Sequence, residues 1–215
     1  MKFPYAKHLI SDDDILSVTK VLKSESLTQG KVVEDFEYAL AKYLNCKSVI
    51  LCSSGTAALH LIYMAMGLNK DTAILTTPIT FLATAHAAKY TGAKVYFADV
   101  DHKTGLISED SVYAILKKSK NKIKALVLVH LGNKTCNLEK FKKIADEFGV
   151  ILIEDSCHAF GEIYIPNNKD SSMVGSANYS HASALSFHAI KNITTGEGGA
   201  VATNDEKLAN KIRLL

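Results

Sequence analysis

The chain has 215 residues, 47% hydrophobic and 22% charged, enough for one large core and unlike a disordered chain. A net charge of +3, without a basic run of five, is too mild to point to nucleic acid. No apolar stretch is long enough to span a membrane, the start Met1-Lys2-Phe3-Pro4-Tyr5 lacks a signal core, and Cys46, Cys52, Cys136 and Cys157 show no Cys-x-x-Cys spacing, so a soluble cytoplasmic protein with free thiols and no membrane partner is expected.

Two helices are expected first. Ser11-Asp12-Asp13-Asp14 caps one that runs to about Lys23. The second spans about Val32 to Leu44, with Phe36, Leu40 and Tyr43 as its apolar stripe, and Leu27-Thr28-Gln29-Gly30-Lys31 joins the two. Strands and helices then alternate. Ser48 to Cys52 reads as a buried strand and Thr56 to Met66 as a helix. Ala73 to Thr76 is a strand, Phe81 to Tyr90 a helix and Lys94 to Phe97 a strand. Ser108 opens a helix through Leu116, with Glu109 and Asp110 in its first turn. Lys124 to His130 is the clearest strand, followed by a helix from Leu138 to Phe148. Val150 to Glu154 and Ala182 to Phe187 are further apolar strands.

This alternation implies an α/β fold, with a mostly parallel sheet buried on both faces and functional groups at the C-terminal strand ends. Asn204 is expected to cap a last helix whose stripe, Leu208, Ile212 and Leu215, runs to the final residue. Such a stripe reads as a polypeptide that stops inside an element, so a fragment is expected. The division is an N-terminal helical segment, 1–46, and a domain, 47–215, truncated at its C-terminal end. There is no internal repeat.

Several strand ends carry chemistry. Ser53-Ser54-Gly55-Thr56-Ala57-Ala58 follows a strand and opens a helix, which suits a phosphate, although an ordinary Ser/Thr cap has the same pattern. Asp155 ends an apolar strand, where a carboxylate needs a cationic partner such as a protonated pyridine nitrogen, or serves as a turn cap. His158 lies three residues on and can flank the same ligand; no second residue at sensible spacing makes it a metal ligand. Phe81, in Thr77-Pro78-Ile79-Thr80-Phe81, can stack on a planar ring or pack in the core. Lys191 follows the strand Ala182 to Phe187 and precedes the glycine-rich turn Gly196-Glu197-Gly198-Gly199. A lysine there can form a Schiff base with a carbonyl cofactor, though most such lysines are solvated surface residues. Together these are the parts that pyridoxal 5'-phosphate needs: an anion site, a stacking face, an acid for the pyridine nitrogen and an amine.

At these residues the chain resembles the DegT/DnrJ/EryC1/StrS family of sugar aminotransferases. The motifs are Ser54-Gly55-Thr56-Ala57-Ala58-Leu59, Thr77 to Phe81, Glu154-Asp155-Ser156-Cys157-His158-Ala159-Phe160-Gly161, and Ser186-Phe187-His188 through Lys191 to Gly199. The resemblance implies the large domain of a fold type I pyridoxal-phosphate transferase, without the small C-terminal domain. It implies that Lys191 carries the cofactor and is catalytic, and that Asp155 pairs with the pyridine nitrogen. Gly55, Thr56 and Ser186 would hold the phosphate, Phe81 would stack on the ring, and His158 would lie near it. Tyr5 and the segment Glu25, Ser26, Leu27, Thr28 would line a nucleotide-sugar mouth.

Within the family, Leu27 to Lys31 and Asp155 to Ala159 are most similar to members that aminate C-4 of a UDP-linked 4-keto-6-deoxy-HexNAc sugar in pseudaminic-acid synthesis, with L-glutamate as donor. Related sugar dehydratases have histidine where Lys191 stands, which favours transamination. A homodimer is implied where the C-terminal part is present. Two other readings compete: a truncated remnant or regulatory module that keeps the fold without turnover, and a plain nucleotide-binding α/β domain, disfavoured by the absent glycine fingerprints.

Overall fold

The apolar runs assemble into one sheet. A computed structural model of the chain describes residues 6–119, 122–166 and 170–215. Among these, the helices are α1 (Asp12–Leu22), α2 (Lys31–Leu44), α3 (Gly55–Ala65), α4 (Ala83–Tyr90), α5 (Glu109–Lys118), α6 (Leu138–Phe148) and α7 (Glu206–Arg213). The strands are β1 (Ser48–Cys52), β2 (Ala73–Thr76), β3 (Lys94–Phe97), β4 (Ile123–Val129), β5 (Ile151–Asp155), β6 (Ile163–Tyr164), β7 (Ser172–Met173), β8 (Ala182–Ser186) and β9 (Gly199–Thr203). Seven strands form the main sheet in the order β1-β9-β8-β5-β4-β2-β3, and β6 and β7 make a small separate hairpin.

Strands β8, β5, β4, β2 and β3 run parallel, and β9 inserts antiparallel between β8 and β1. The sheet is therefore mostly parallel, with a single reversed strand. Burial on both faces follows from alternation along each strand. In β4, Ala125 and Val127 pack with Leu59, Ile62 and Tyr63 of α3, while Leu126 and Leu128 face Val112 of α5 and Phe141 of α6. A third cluster joins Leu40 and Leu44 of α2 to Val49, Leu185 and Ala202. Tyr43, expected in the α2 stripe, is exposed on one side and stacks its ring on Phe160 at 5.4 Å.

The helix ends follow local chemistry. Ser11 and Asp14 form a reciprocal capping box at α1. Asn137 caps α6, and Gly149, at φ 63°, ends it. Helix α1 buries none of its residues, so its local caps do more for it than packing does. Helix α4 starts at Ala83, two residues after the expected start, because Phe81 and Leu82 form the turn that precedes it: the Thr84 N–H donates to the Phe81 carbonyl at 3.2 Å.

The cap of α7 is a correction. Asp205, not Asn204, caps the helix, accepting from the N–H groups of Lys207 and Leu208. Asn204 is drawn elsewhere. Its Oδ1 accepts from the Lys47 N–H at 2.9 Å, and its Nδ2 donates to the carbonyls of Ser176 (3.0 Å) and Ala177 (3.1 Å). Asn204→Ala leaves those groups unpaired and is expected to destabilise the fold by about 1–3 kcal/mol. A urea midpoint equal to wild type would count against this tie.

Candidate active site

The C-terminal ends of β2, β4, β5 and β8 and the start of α3 converge on one cavity of about 560 Å³. This is the location that the crossover topology of an α/β sheet leaves open.

Strand β1 delivers the chain through Ser53 and Ser54 into α3. Ser54 Oγ accepts from the Ala57 N–H at 3.1 Å, and the Ser54 carbonyl accepts from the Ala58 N–H at 3.0 Å. The N–H groups of Gly55 and Thr56 have no acceptor among the described residues, and both residues line the cavity. Two free donors at the positive end of a helix form an anion site. Gly55 is needed here: a Cβ on it would lie 2.9 Å from both Cys157 Sγ and Ser186 Cβ. The close approach holds the turn against the ends of β5 and β8, and places the Ser186 side chain beside it.

Asp155, the last residue of β5, is 6% exposed. Both its oxygens accept: Oδ2 from the Thr84 hydroxyl at 2.7 Å, and Oδ1 from the Cys157 N–H at 3.3 Å. It also lines the cavity, where the rest of its acceptor capacity is available. Burial, then the neighbouring Asp155 charge, pushes the Cys157 thiol well above its ordinary range, so Cys157 is a neutral packing group under the α3 turn. Burial and then the Lys191 charge push the half-buried His158 imidazole below its ordinary range, against a weaker opposite pull from Asp155. His158 is thus neutral at pH 7 and suited to lie against a ring.

Lys191 stands on the loop between β8 and β9, which its backbone and neighbours hold. The Lys191 N–H donates to the His188 carbonyl (2.9 Å), the Thr195 N–H to the Phe187 carbonyl (3.0 Å), and Asn192 Nδ2 to the Phe160 carbonyl (2.9 Å). The side chain of Lys191 lines the cavity and has no hydrogen-bond or ion-pair partner among the described residues. Phe81 stands on the cavity wall, 64% exposed.

The structure brings Gly55, Thr56, Phe81, Asp155, His158, Ser186 and Lys191 to this one cavity. It does not bring Glu25, Ser26, Leu27 or Thr28 there: they lie exposed in the connection between α1 and α2. Tyr5 lies outside the described residues. Three cavity residues escaped the sequence reading. His130 follows β4, accepts the Cys136 N–H at Nδ1 (3.1 Å) and so carries its proton on Nε2, 3.0 Å from Glu154 Oε2. His188 and Glu197 flank Lys191, with Nε2 and Oε1 3.6 Å apart. The place of His188 and Glu197 beside the lysine is a local signal, whereas a histidine after a strand is not.

Residues 8–215 match the model of the DegT/DnrJ/EryC1/StrS aminotransferase family. The chain belongs to that family. It is 41% identical over 211 residues to a UDP-4-amino-4,6-dideoxy-N-acetyl-beta-L-altrosamine transaminase of Campylobacter jejuni, covering 98% of this chain and 54% of that protein. Among solved structures, Helicobacter pylori PseC, an aminotransferase involved in the biosynthesis of pseudoaminic acid, superposes with a TM-score of 0.88 at 36% identity, covering 100% of this chain and 55% of its own. NtdA of Bacillus subtilis, solved with its cofactor PMP, superposes with a TM-score of 0.81 at 29% identity, over 94% of this chain and 45% of its own. The chain thus spans about half the length of the curated relatives it matches. The family places the fold among the pyridoxal-phosphate-dependent sugar aminotransferases.

Proposed function

We propose that the chain carries the cofactor site of a pyridoxal-phosphate-dependent aminotransferase that moves an amino group from L-glutamate to a UDP-linked 4-keto-6-deoxy-HexNAc sugar. The observation that carries this is the convergence of Lys191, Asp155 and the open α3 N-terminus on one cavity. The residues fit the group: two unpaired N–H donors answer a phosphate, a buried acid with spare acceptor capacity answers a pyridine nitrogen, and an unpartnered amine answers a carbonyl. Within the chain, 47–215 is the cofactor domain and 1–46 a helical segment before it. A cytoplasmic homodimer is the expected setting, and the segment from Glu25 to Thr28, with Tyr5, is the candidate lining for the nucleotide sugar.

The roles follow from chemistry. Gly55 and Thr56 N–H groups and the Ser186 hydroxyl bind the phosphate, with the α3 dipole aligned to favour its charge. Asp155 holds a proton at the ring nitrogen. Phe81 and His158, which line the cavity, would help to hold the ring. Lys191 Nζ would take the α-proton of the amino donor and return it two atoms away, on the far side of the amino nitrogen, as a general base and then an acid. Pyridoxal phosphate, when bound, supplies the electron sink for the pair that this proton leaves behind.

Titrating the chain with pyridoxal phosphate is expected to give a visible absorbance band, and borohydride is expected to fix the cofactor on the peptide that contains Lys191, read by mass. Added glutamate and UDP-ketosugar are expected to yield an aminosugar by mass spectrometry. Absence of the band would remove the cofactor reading. A band without aminosugar would leave the non-catalytic module.

A further inference from the structure

Asp155 can serve a pyridine nitrogen only if its carboxylate is held in a fixed orientation. Thr84, the second residue of α4, lies behind the cavity wall and is fully buried. Its hydroxyl oxygen is 2.7 Å from Asp155 Oδ2, 3.2 Å from the Phe81 carbonyl and 2.7 Å from Thr80 Oγ1. A hydroxyl has one proton and two lone pairs. The carboxylate oxygen is the strongest of the three acceptors, so the Thr84 proton goes there. The Thr80 hydroxyl, which borders the cavity, then donates to a lone pair of Thr84. Each bond in such a chain polarises the next. The Thr84 backbone is anchored as well: Tyr63, buried in the core, donates its hydroxyl to the Thr84 carbonyl at 3.0 Å.

We propose that Thr84 is a positioning residue for Asp155, and that the relay Thr80–Thr84–Asp155 sets the carboxylate orientation that holds a proton on the pyridine nitrogen of the cofactor. This rests on the cofactor reading above. Thr84 ties Oδ2 to the α4 side, and the Cys157 N–H ties Oδ1 from the other, so the carboxylate plane is fixed by two elements rather than by its own rotamer. The relay also joins the acid to the segment that carries Phe81, so Asp155 and the proposed stacking residue are tied to one turn.

The test is the ¹⁵N NMR resonance of ring-labelled pyridoxal phosphate bound to the chain, with the cofactor dissociation constant measured alongside. In Thr84→Val the resonance is expected to move from the protonated toward the free-base position, with the dissociation constant rising about tenfold. Thr84→Ser, which keeps the hydroxyl, is expected to return both to wild type. A folded Thr84→Val with an unmoved resonance overturns the proposal, since a merely structural threonine would not alter the protonation of the ring. Should Thr84→Val fail to fold, Thr80→Val decides: a smaller shift in the same direction supports the relay, and none overturns it. If wild type shows no bound resonance, the cofactor reading itself falls, and this proposal with it.

Discussion

Lys191→Ala is expected to abolish the visible band formed with pyridoxal phosphate and to cut amino transfer by at least about 10²–10⁴-fold, the range for losing a positioned general base. Loss of the covalent attachment adds to that. The fold should not notice. The lysine side chain packs into no core cluster and has no hydrogen-bond or ion-pair partner among the described residues. The loop that presents it is shaped by other groups, namely the His188 and Phe187 carbonyls and the Asn192 amide, all of which the substitution keeps. Stability is therefore expected to change by no more than about 0.5 kcal/mol. This separation is the useful part of the test. A variant that unfolds less cooperatively would mean that the lysine has a structural duty. A variant that still transfers an amino group at the wild-type rate would place the chemistry on another residue.

The backbone of this fold could be read wherever an apolar run was long or a cap was local. Strand β4, Ile-Lys-Ala-Leu-Val-Leu-Val, and β5, Ile-Leu-Ile-Glu-Asp, are buried almost throughout, and their composition shows it. Strand β9 left no comparable signal. Gly-Ala-Val-Ala-Thr is small and weakly strand-forming, and it becomes a strand because β1 and β8 pair with it on both sides. The hairpin of β6 and β7 has two residues per strand, too few for any periodicity. At α7, Asn204 and Asp205 are both natural caps. Partners at Lys47 and Ser176, distant in sequence, claim Asn204 and leave the cap to Asp205.

The site divides the same way. Asp155, which ends a strand, Gly55, which starts a helix, and Lys191, set between an apolar strand and a glycine-rich turn, carry their address in the local sequence. Thr84 and His130 do not. A threonine in the first turn of a helix and a histidine after a strand are ordinary, and only the tertiary contacts with Asp155 and Glu154 mark them. The Glu25 to Thr28 segment shows the reverse: its assignment came from resemblance, and no packing in the described residues draws it toward the cavity.

Gly199→Ala is expected to damage both stability and cofactor binding, and the reason separates it from its neighbours in Gly196-Glu197-Gly198-Gly199. A Cβ at Gly199 would overlap the carbonyl carbon and oxygen of Ser54 and lie 2.7 Å from the Gly55 nitrogen. All three are backbone atoms, so no rotamer change relieves the clash. Nor can β9 retreat, because Gly199 is paired with Cys52 on one side and Ser186 on the other. The α3 N-terminus has to move instead, carrying the Gly55 and Thr56 N–H donors with it. Overpacking against rigid neighbours costs about 3 kcal/mol at the upper end of its usual range. For a chain of this size that lowers Tm by about 6–12 °C. Displacing the phosphate donors by around 1 Å is expected to cut turnover by about 10²-fold. Gly196→Ala makes the control. Gly196 has φ 80° and no atom within 4 Å of an added Cβ, so the cost is backbone strain alone, about 1–2 kcal/mol, with the α3 turn left in place. Equal loss of cofactor affinity in the two variants would show that the close contact between β9 and the α3 turn does not shape the site. Loss confined to Gly199→Ala would show that this glycine holds the anion site in position from beneath.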